Sequence, residues 1–233
     1  MKTTLFVPTL NEIEGMRAIM PGIEPGWVDQ ILVVDGGSTD GTIEFARERG
    51  YDVVIQNRKG LRHAFIEGWP RIRHEIVITF SPDGNSLASA IPALVAKMRE
   101  GYDMVIASRY LDGARSEDDD AITGFGNRLF TGTVNLLHGA NYTDAMVIFR
   151  AYRTSLFHEL DLDREESYAP EKLWFTTLGI EPLLSVRAAK RKLRIGEIPA
   201  DEPPRIGGVR KLQVIRWGGA YMTQFFRELW HWR

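Results

Sequence analysis

The sequence predicts an α/β protein: a mainly parallel sheet with helices on both faces, followed by an amphipathic C-terminal helix. Three observations predict it. Strand-like runs alternate with segments of helical apolar spacing through residues 3–110. Each strand run is almost continuously apolar, as a strand covered on both faces requires. The polar clusters (Asn11 and Glu12, Asp35 to Asp40, Asp83 and Asn85, Ser108 and Arg109) fall where strands end, the edge at which such sheets bind ligands.

In order, "TTLFVPTL" is the first strand and "EIEGMRAIMPGI" a helix ending near Pro21-Gly22. "VDQILVVDGG" is the second strand. The helix "TDGTIEFARERG" stops at Gly50, and Asp40 is placed to cap it. "YDVVIQN" is a strand, "LRHAFIEGWPRIR" a helix, "EIVITFS" a strand, "LASAIPALVAKMREG" a helix and "YDMVIASRY" a strand. Residues 111–126 are polar and acidic and predict a long loop. Its run Glu117 to Asp120 is either solvated or a metal site. Residues 127–141 are helical, "YTDAMVIFRAYR" returns to a strand, "APEKLWFTTLGIEPLLSVRAAKRK" holds one or two helices, and "LRIGEIP" is a late strand.

The 233 residues suit one sizeable domain, and 44 % hydrophobic with 26 % charged residues excludes a disordered chain. The absence of cysteine excludes disulfides and thiolate metal sites and is compatible with a reducing compartment. The opening "MKTTLFVPTLNE" is not expected to be a signal peptide, because its apolar run is short. No run of about 18 apolar residues predicts a spanning helix. The net charge of −2 hides an asymmetry: residues 187–233 hold eleven Lys and Arg against four Asp and Glu, and the remainder holds 18 against 27. A basic tail on an acidic body points to an anionic partner or to a solvated surface.

No G-x-G-x-x-G follows the first strand and no Walker A motif occurs. Seven segments stand out instead: "VPTLNE", "ILVVDGGSTDGT", "NRKGLRHAFIEG", "FSPDGN", "VIASRYLDG", "YTDAMVIFRAYR" and "IGEIP". In order and spacing, over roughly residues 3–212, they resemble family-2 glycosyltransferases with the GT-A (Rossmann-like) fold. The dolichyl- and polyprenyl-phosphate mannose or glucose synthases are the type they look most like. The resemblance implies a GT-A domain over 1–212, with 213–233 as an appended helix.

It also implies roles. Pro8 and Glu12 border the nucleotide. Asp35 keeps the first of two family acids, Gly36 replaces the second, and the Asp35 carboxylate is suited to accept from a base N–H or a ribose hydroxyl. Lys59 and Arg62 approach the diphosphate. The family's Asp-x-Asp, which holds Mg²⁺ or Mn²⁺ against the diphosphate, is here Ser81-Pro82-Asp83 with Asn85 beyond it. One carboxylate with phosphate oxygens binds a hard cation more weakly, and a turn-closing role for Asp83 is the alternative. Asp144 matches an acid that orients the acceptor or pairs with Arg150, and Glu181 matches a helix acid of the pattern. Arg109, Arg128, Arg205, Arg210 and Lys211 are candidates for an acceptor phosphate. Asp83 and Asp144 are the catalytic candidates.

The expectation is an inverting transferase that moves a hexose from a UDP- or GDP-sugar to a lipid phosphate. Its rivals are a soluble hydroxyl acceptor with the same donor, and a nucleotide-sugar-binding pseudoenzyme suggested by Ser81 and Gly36. No nucleic-acid partner is expected. In the tail, Trp217, Tyr221, Phe225, Leu229 and Trp232 recur among Arg216, Arg227 and Arg233. That pattern suits either a helix in a membrane interface or one packed on the domain or on a second subunit. The expected location is the cytoplasm, either free or peripheral on the inner membrane face.

Overall fold

A computed structural model describes residues 1–206 and 214–232. Seven strands form one sheet in the order β3-β2-β1-β4-β6-β5-β7. β1 (Thr3–Thr9), β2 (Gln30–Asp35), β3 (Asp52–Ile55), β4 (Ile76–Thr79), β5 (Met104–Ser108) and β7 (Ile195–Pro199) follow the parallel pattern, and β6 (Arg150–Arg153) runs antiparallel between β4 and β5. The central strands β1, β4 and β5 are buried except at Pro8, which is why their runs carry no polar alternation.

Between the strands lie α1 (Ile13–Ile19), α2 (Thr42–Glu48), α3 (Leu61–Gly68), α4 (Ile91–Arg99), α5 (Ala121–His138), α6 (Leu156–Glu159), α7 (Pro170–Trp174) and α8 (Glu181–Lys190). α3 closes on the sheet at Gly68, where a Cβ would stand 2.5 Å from Val34. Phe6 stacks on Phe65 at 4.7 Å and Trp69 on Phe157 at 4.1 Å, so aromatic area fixes that face of the core.

Two expectations needed correction, and one pair of alternatives was decided. The acidic loop ends sooner, because Asp120 caps a helix that already begins at Ala121. Its carboxylate accepts from Ile122 N and Thr123 N, and Thr123 Oγ1 accepts from Asp120 N. Nor do the other acids of that run gather as ligands. Asp118 accepts from Asn85, and Asp119 bonds Tyr110 and Asn127. Among the described residues, no group of three or more His, Cys, Asp or Glu is arranged to hold a metal ion. Finally, the strand expected over 142–153 shrinks to Arg150–Arg153, because Asp144 draws Met146 N and Val147 N into a turn, both at 3.2 Å.

The C-terminal helix α9 (Val214–His231) packs against α5, α7 and α8. Gly219, which weakens a helix by propensity, is the contact point: a Cβ there would lie 2.3 Å from the Trp174 indole. The boundary expected at residues 212 and 213 lies outside the described residues. No described helix is long and apolar enough to cross a membrane.

Candidate functional site

The carboxyl ends of the strands open into a cavity of about 840 Å³. β1 brings Pro8 to it and the following turn brings Glu12. Ser81, Asp83 and Asn85 come from the turn after β4, Lys59 from the loop before α3, Arg109 from the end of β5, and Arg205 from the chain beyond β7. Eight residues singled out in the sequence therefore converge on one space.

Asp83 sits in a tight turn. Gly84 has φ +98° and no room for a Cβ, which would stand 2.8 Å from Ile206. Gly15 of α1 meets the same turn, with a Cβ position 2.1 Å from Pro82 O. These close approaches fix the carboxylate at the cavity wall. Asp83 Oδ1 accepts from Asn85 N at 3.1 Å, and Asp83 Oδ2 lies 2.8 Å from Arg205 Nη2. Ile206 N donates to Asp83 O at 2.6 Å, tying the chain after β7 to the turn. Arg205 Nη1 is 3.9 Å from Glu12 Oε1. Asn85 gives its amide N–H to Asp118 at 3.1 Å, which leaves its Oδ1 buried with no partner among the described residues.

Arg109 is the centre of a second ionic group. Its Nε and Nη2 reach Asp144 at 2.6 and 3.0 Å, and its Nη1 lies 3.3 Å from Glu202. Burial raises the Asp144 carboxyl, but the Arg109 guanidinium outweighs it and holds the acid below its ordinary range. Burial likewise works against the charge on Arg109, and Asp144 with Glu202 raises its affinity for the proton overall. Glu202 is pushed up, by burial first.

Other expected residues lie elsewhere. Asp144 is fully buried and pairs with Arg109, not with Arg150, whose guanidinium bonds Val147 O and Ser185 Oγ. Asp35 is fully buried; its carboxylate accepts from Thr9 Oγ1, Gly37 N, Ser38 N and Ser38 Oγ and so organises the turn after β2, leaving Gly36 and Gly37 at the cavity. Arg62 is buried under Tyr168 and tied to Glu165 and Glu171. Arg128 is exposed on α5 away from the cavity lining. Arg210 and Lys211 lie outside the described residues. Asp40 accepts from Thr42 N of α2 and also from Ile13 N of α1, both at 3.0 Å.

Sequence reasoning missed one wall. Trp217, Gly218 and Tyr221 of α9 line the cavity beside Phe130 of α5, so the tail is part of the site. The aromatic spacing was visible, but the direction in which it faced was not. Glu202 was missed as well, with no signal in the sequence to mark it, whereas Glu181, named only as a match to a helix acid, proves to line the cavity.

Comparison with known proteins adds a consistent set of similarities. The family model described as "Glycosyl transferase family 2" matches residues 4–161. Glycosyltransferase AglJ of Haloferax volcanii is 29 % identical over 96 % of this chain and 71 % of its own length. The undecaprenyl-phosphate mannosyltransferase of Micrococcus luteus is 27 % identical over 94 % of both chains. A dolichyl-phosphate hexose transferase of Haloferax volcanii is 27 % identical over 91 % of this chain and 87 % of its own. Among solved structures, glucosyl-3-phosphoglycerate synthase of Mycobacterium tuberculosis, in complex with Mn²⁺, UDP and phosphoglyceric acid, superposes with a TM-score of 0.69. It is 20 % identical and covers 98 % of this chain and 78 % of its own.

Proposed function

Because the chain belongs to glycosyl transferase family 2, we propose that its cavity takes a UDP- or GDP-hexose and passes the sugar, with inversion, to the phosphate of a polyprenyl lipid. The chain is a glycosyltransferase with the GT-A fold, and relatives that act on lipid phosphates match it over nearly its full length. The single observation that carries the reading is the Asp83 turn, built into the cavity wall between Glu12, Asn85 and Arg205.

The donors there suit a hard divalent cation: the Asp83 carboxylate, the Ser81 hydroxyl and the unpartnered Asn85 Oδ1. These residues would hold Mg²⁺ or Mn²⁺ beside the diphosphate, and the cation would neutralise charge on the departing nucleoside diphosphate. The neighbour solved with Mn²⁺ and UDP supports that choice. Arg205 has one guanidinium nitrogen on Asp83 and another toward Glu12, so it stands ready to shift onto a phosphate that offers a better bidentate partner. Lys59 brings a second positive charge to the cavity. Arg109 lines the cavity with its guanidinium held by Asp144 and, at longer range, by Glu202, so it would meet an acceptor phosphate by giving up the 3.3 Å Glu202 contact. In this reading Asp144 acts through Arg109. An ionised phosphate oxygen attacks the anomeric carbon without needing a general base, and the bond to the nucleoside diphosphate breaks on the opposite face.

The test is to incubate the purified protein with UDP-glucose or GDP-mannose, Mn²⁺ and undecaprenyl or dolichyl phosphate in detergent. A glycosyl phospholipid is the expected product. Transfer only to soluble alcohols would overturn the acceptor, and donor binding without turnover would overturn the enzyme.

A lipid acceptor calls for a protein face that meets a bilayer. α5 exposes Ile122, Phe125, Leu129 and Leu136 along one stripe, α9 exposes Phe226 and Trp230, and Ile122 also lines the cavity. The exposed bases Arg128 and Arg216 lie on the same two helices. We expect sedimentation with phosphatidylglycerol vesicles, and Phe125→Asp or Trp230→Asp to lower the bound fraction by about tenfold each, the scale of one buried aromatic side chain. Unchanged binding in both variants would remove these helices from the interface.

A further inference from the structure

Beyond the ionic end of the cavity, one buried acid is left without work. Glu181 opens α8, is 5 % exposed and lines the cavity. Its Oε1 is buried with no hydrogen-bond partner among the described residues. Such an atom is costly to keep unless a ligand completes it. The other carboxyl oxygen is folded over bare backbone: a Cβ on Gly179 would stand 2.4 Å from Glu181 Oε2. Arg150, packed beneath, does not neutralise the group by contact. Its guanidinium reaches the Glu181 carbonyl at 3.4 Å and spends its better bonds on Val147 O and Ser185 Oγ. Tyr221 of α9 also faces this corner and accepts from Gly179 N at 3.3 Å. Burial pushes the Glu181 carboxyl up, toward the form that donates as well as accepts.

The sheet order tells what reaches this corner. Gly36 and Gln56 mark the cavity beyond the ends of β2 and β3, Asp83 marks it beyond β4, and Glu181 stands over Arg150 at the start of β6, the next strand along. In a sugar nucleotide the base, diphosphate and sugar follow in that sequence. A phosphate is a poor fit, since an ionised carboxylate repels it, whereas a neutral polyol bonds either form of the acid.

We propose that Glu181 selects the transferred hexose, with its Oε1 exchanging a hydrogen bond with one hydroxyl of the bound sugar. The proposal rests on the sugar-nucleotide reading of the cavity and goes beyond it by naming the residue that reads the sugar. Glu181 is on this view a specificity residue, separate from the groups that hold the diphosphate.

The experiment measures kcat/KM for UDP-glucose and GDP-mannose and their 2-, 3-, 4- and 6-deoxy analogues, using the wild type, Glu181→Gln and Glu181→Leu, with the Kd of UDP and GDP determined calorimetrically. In the wild type, one deoxy donor should lose about a hundredfold or more, the scale of a site built around a hydroxyl. Glu181→Leu should lose about as much on the intact donor and nothing further on that one deoxy donor. Glu181→Gln, which keeps the shape and a donor-acceptor pair, should change the penalty at that hydroxyl alone. UDP or GDP affinity should stay within about twofold. Equal losses on every donor, or no loss on any, would overturn the assignment. Should Glu181→Leu melt early, the Glu181→Gln series against the wild type decides by the same criterion. A wild type that turns over no sugar nucleotide fails at the earlier step, overturning the donor reading before any variant is compared.

Discussion

Asp83→Ala is expected to abolish transfer, lowering kcat by about a thousandfold or more, the scale of losing several kcal/mol of charge stabilisation at the leaving group. The reason is local. Ser81 supplies a hydroxyl where relatives of the resembled type carry a first acid, so Asp83 is the one carboxylate of its turn that faces the cavity. The variant should remain folded, because the turn is also held by the Ile206 N bond to Asp83 O and by the close seat of Gly15. Asp83→Asn keeps an acceptor for Asn85 N and removes only the charge, which separates cation binding from turn geometry. Turnover measured at saturating Mn²⁺, together with a thermal melt, checks both. Full activity in either variant would reassign the cation. Arg205→Ala carries the opposite sign for the metal: freeing Asp83 Oδ2 from its 2.8 Å partner should tighten Mn²⁺ binding in calorimetry while lowering turnover. If Mn²⁺ affinity does not rise, the guanidinium and the cation do not compete for that oxygen.

The sheet was legible because its signal is simple. Runs such as "ILVV" and "IVIT" have no polar alternation, and only a doubly covered strand tolerates that. Which polar residues face a cavity was half legible. Asp83, Glu12 and Lys59 were found from strand-end position and from the pattern they resemble. Asp144 and Arg62 have the same chemistry in the sequence, and the fold turns both inward onto partners remote in the chain, Arg109 and Glu171. A one-dimensional pattern tells that a charge is present; it does not tell which opposite charge is folded against it. The helix over 121–126 was hidden for a different reason. Its start depends on a reciprocal bond between Asp120 and Thr123 in a run of four acids, three of which are aspartates equally plausible as caps by composition. The tail's role at the cavity was hidden because amphipathic spacing fixes which residues share a face and not what that face meets.

What the tail meets can be tested directly. Arg187 of α8 and Glu228 of α9 are buried to within 2 % of full cover and form a two-bond pair, Nε to Oε2 at 3.0 Å and Nη2 to Oε1 at 3.1 Å. Gln224 adds a bond to the same carboxylate at 2.8 Å, and Arg187 also reaches Leu160 O at 2.7 Å. Trp232 lies 4.9 Å from the guanidinium carbon and ties its indole N–H to Asp161 at 2.8 Å. Glu228→Ala leaves a guanidinium in the interior without its counter-charge, which costs about 3–5 kcal/mol, several times what an exposed pair is worth. In a chain of this size that corresponds to a fall in Tm of roughly 10 °C. Replacing both partners with apolar residues, Arg187→Met with Glu228→Leu, should recover most of the loss, because the fully buried guanidinium goes together with its counter-charge; Arg227, 3.3 Å from the same carboxylate, loses that partner but keeps part of its side chain in water. Since α9 carries Trp217 and Tyr221 to the cavity, Glu228→Ala should also weaken donor binding at temperatures where the fold as a whole persists, and the double variant should restore it. A Glu228→Ala protein that melts within a degree or two of wild type, or one whose donor affinity does not follow its stability, would separate the helix from the site and leave the cavity wall to other elements.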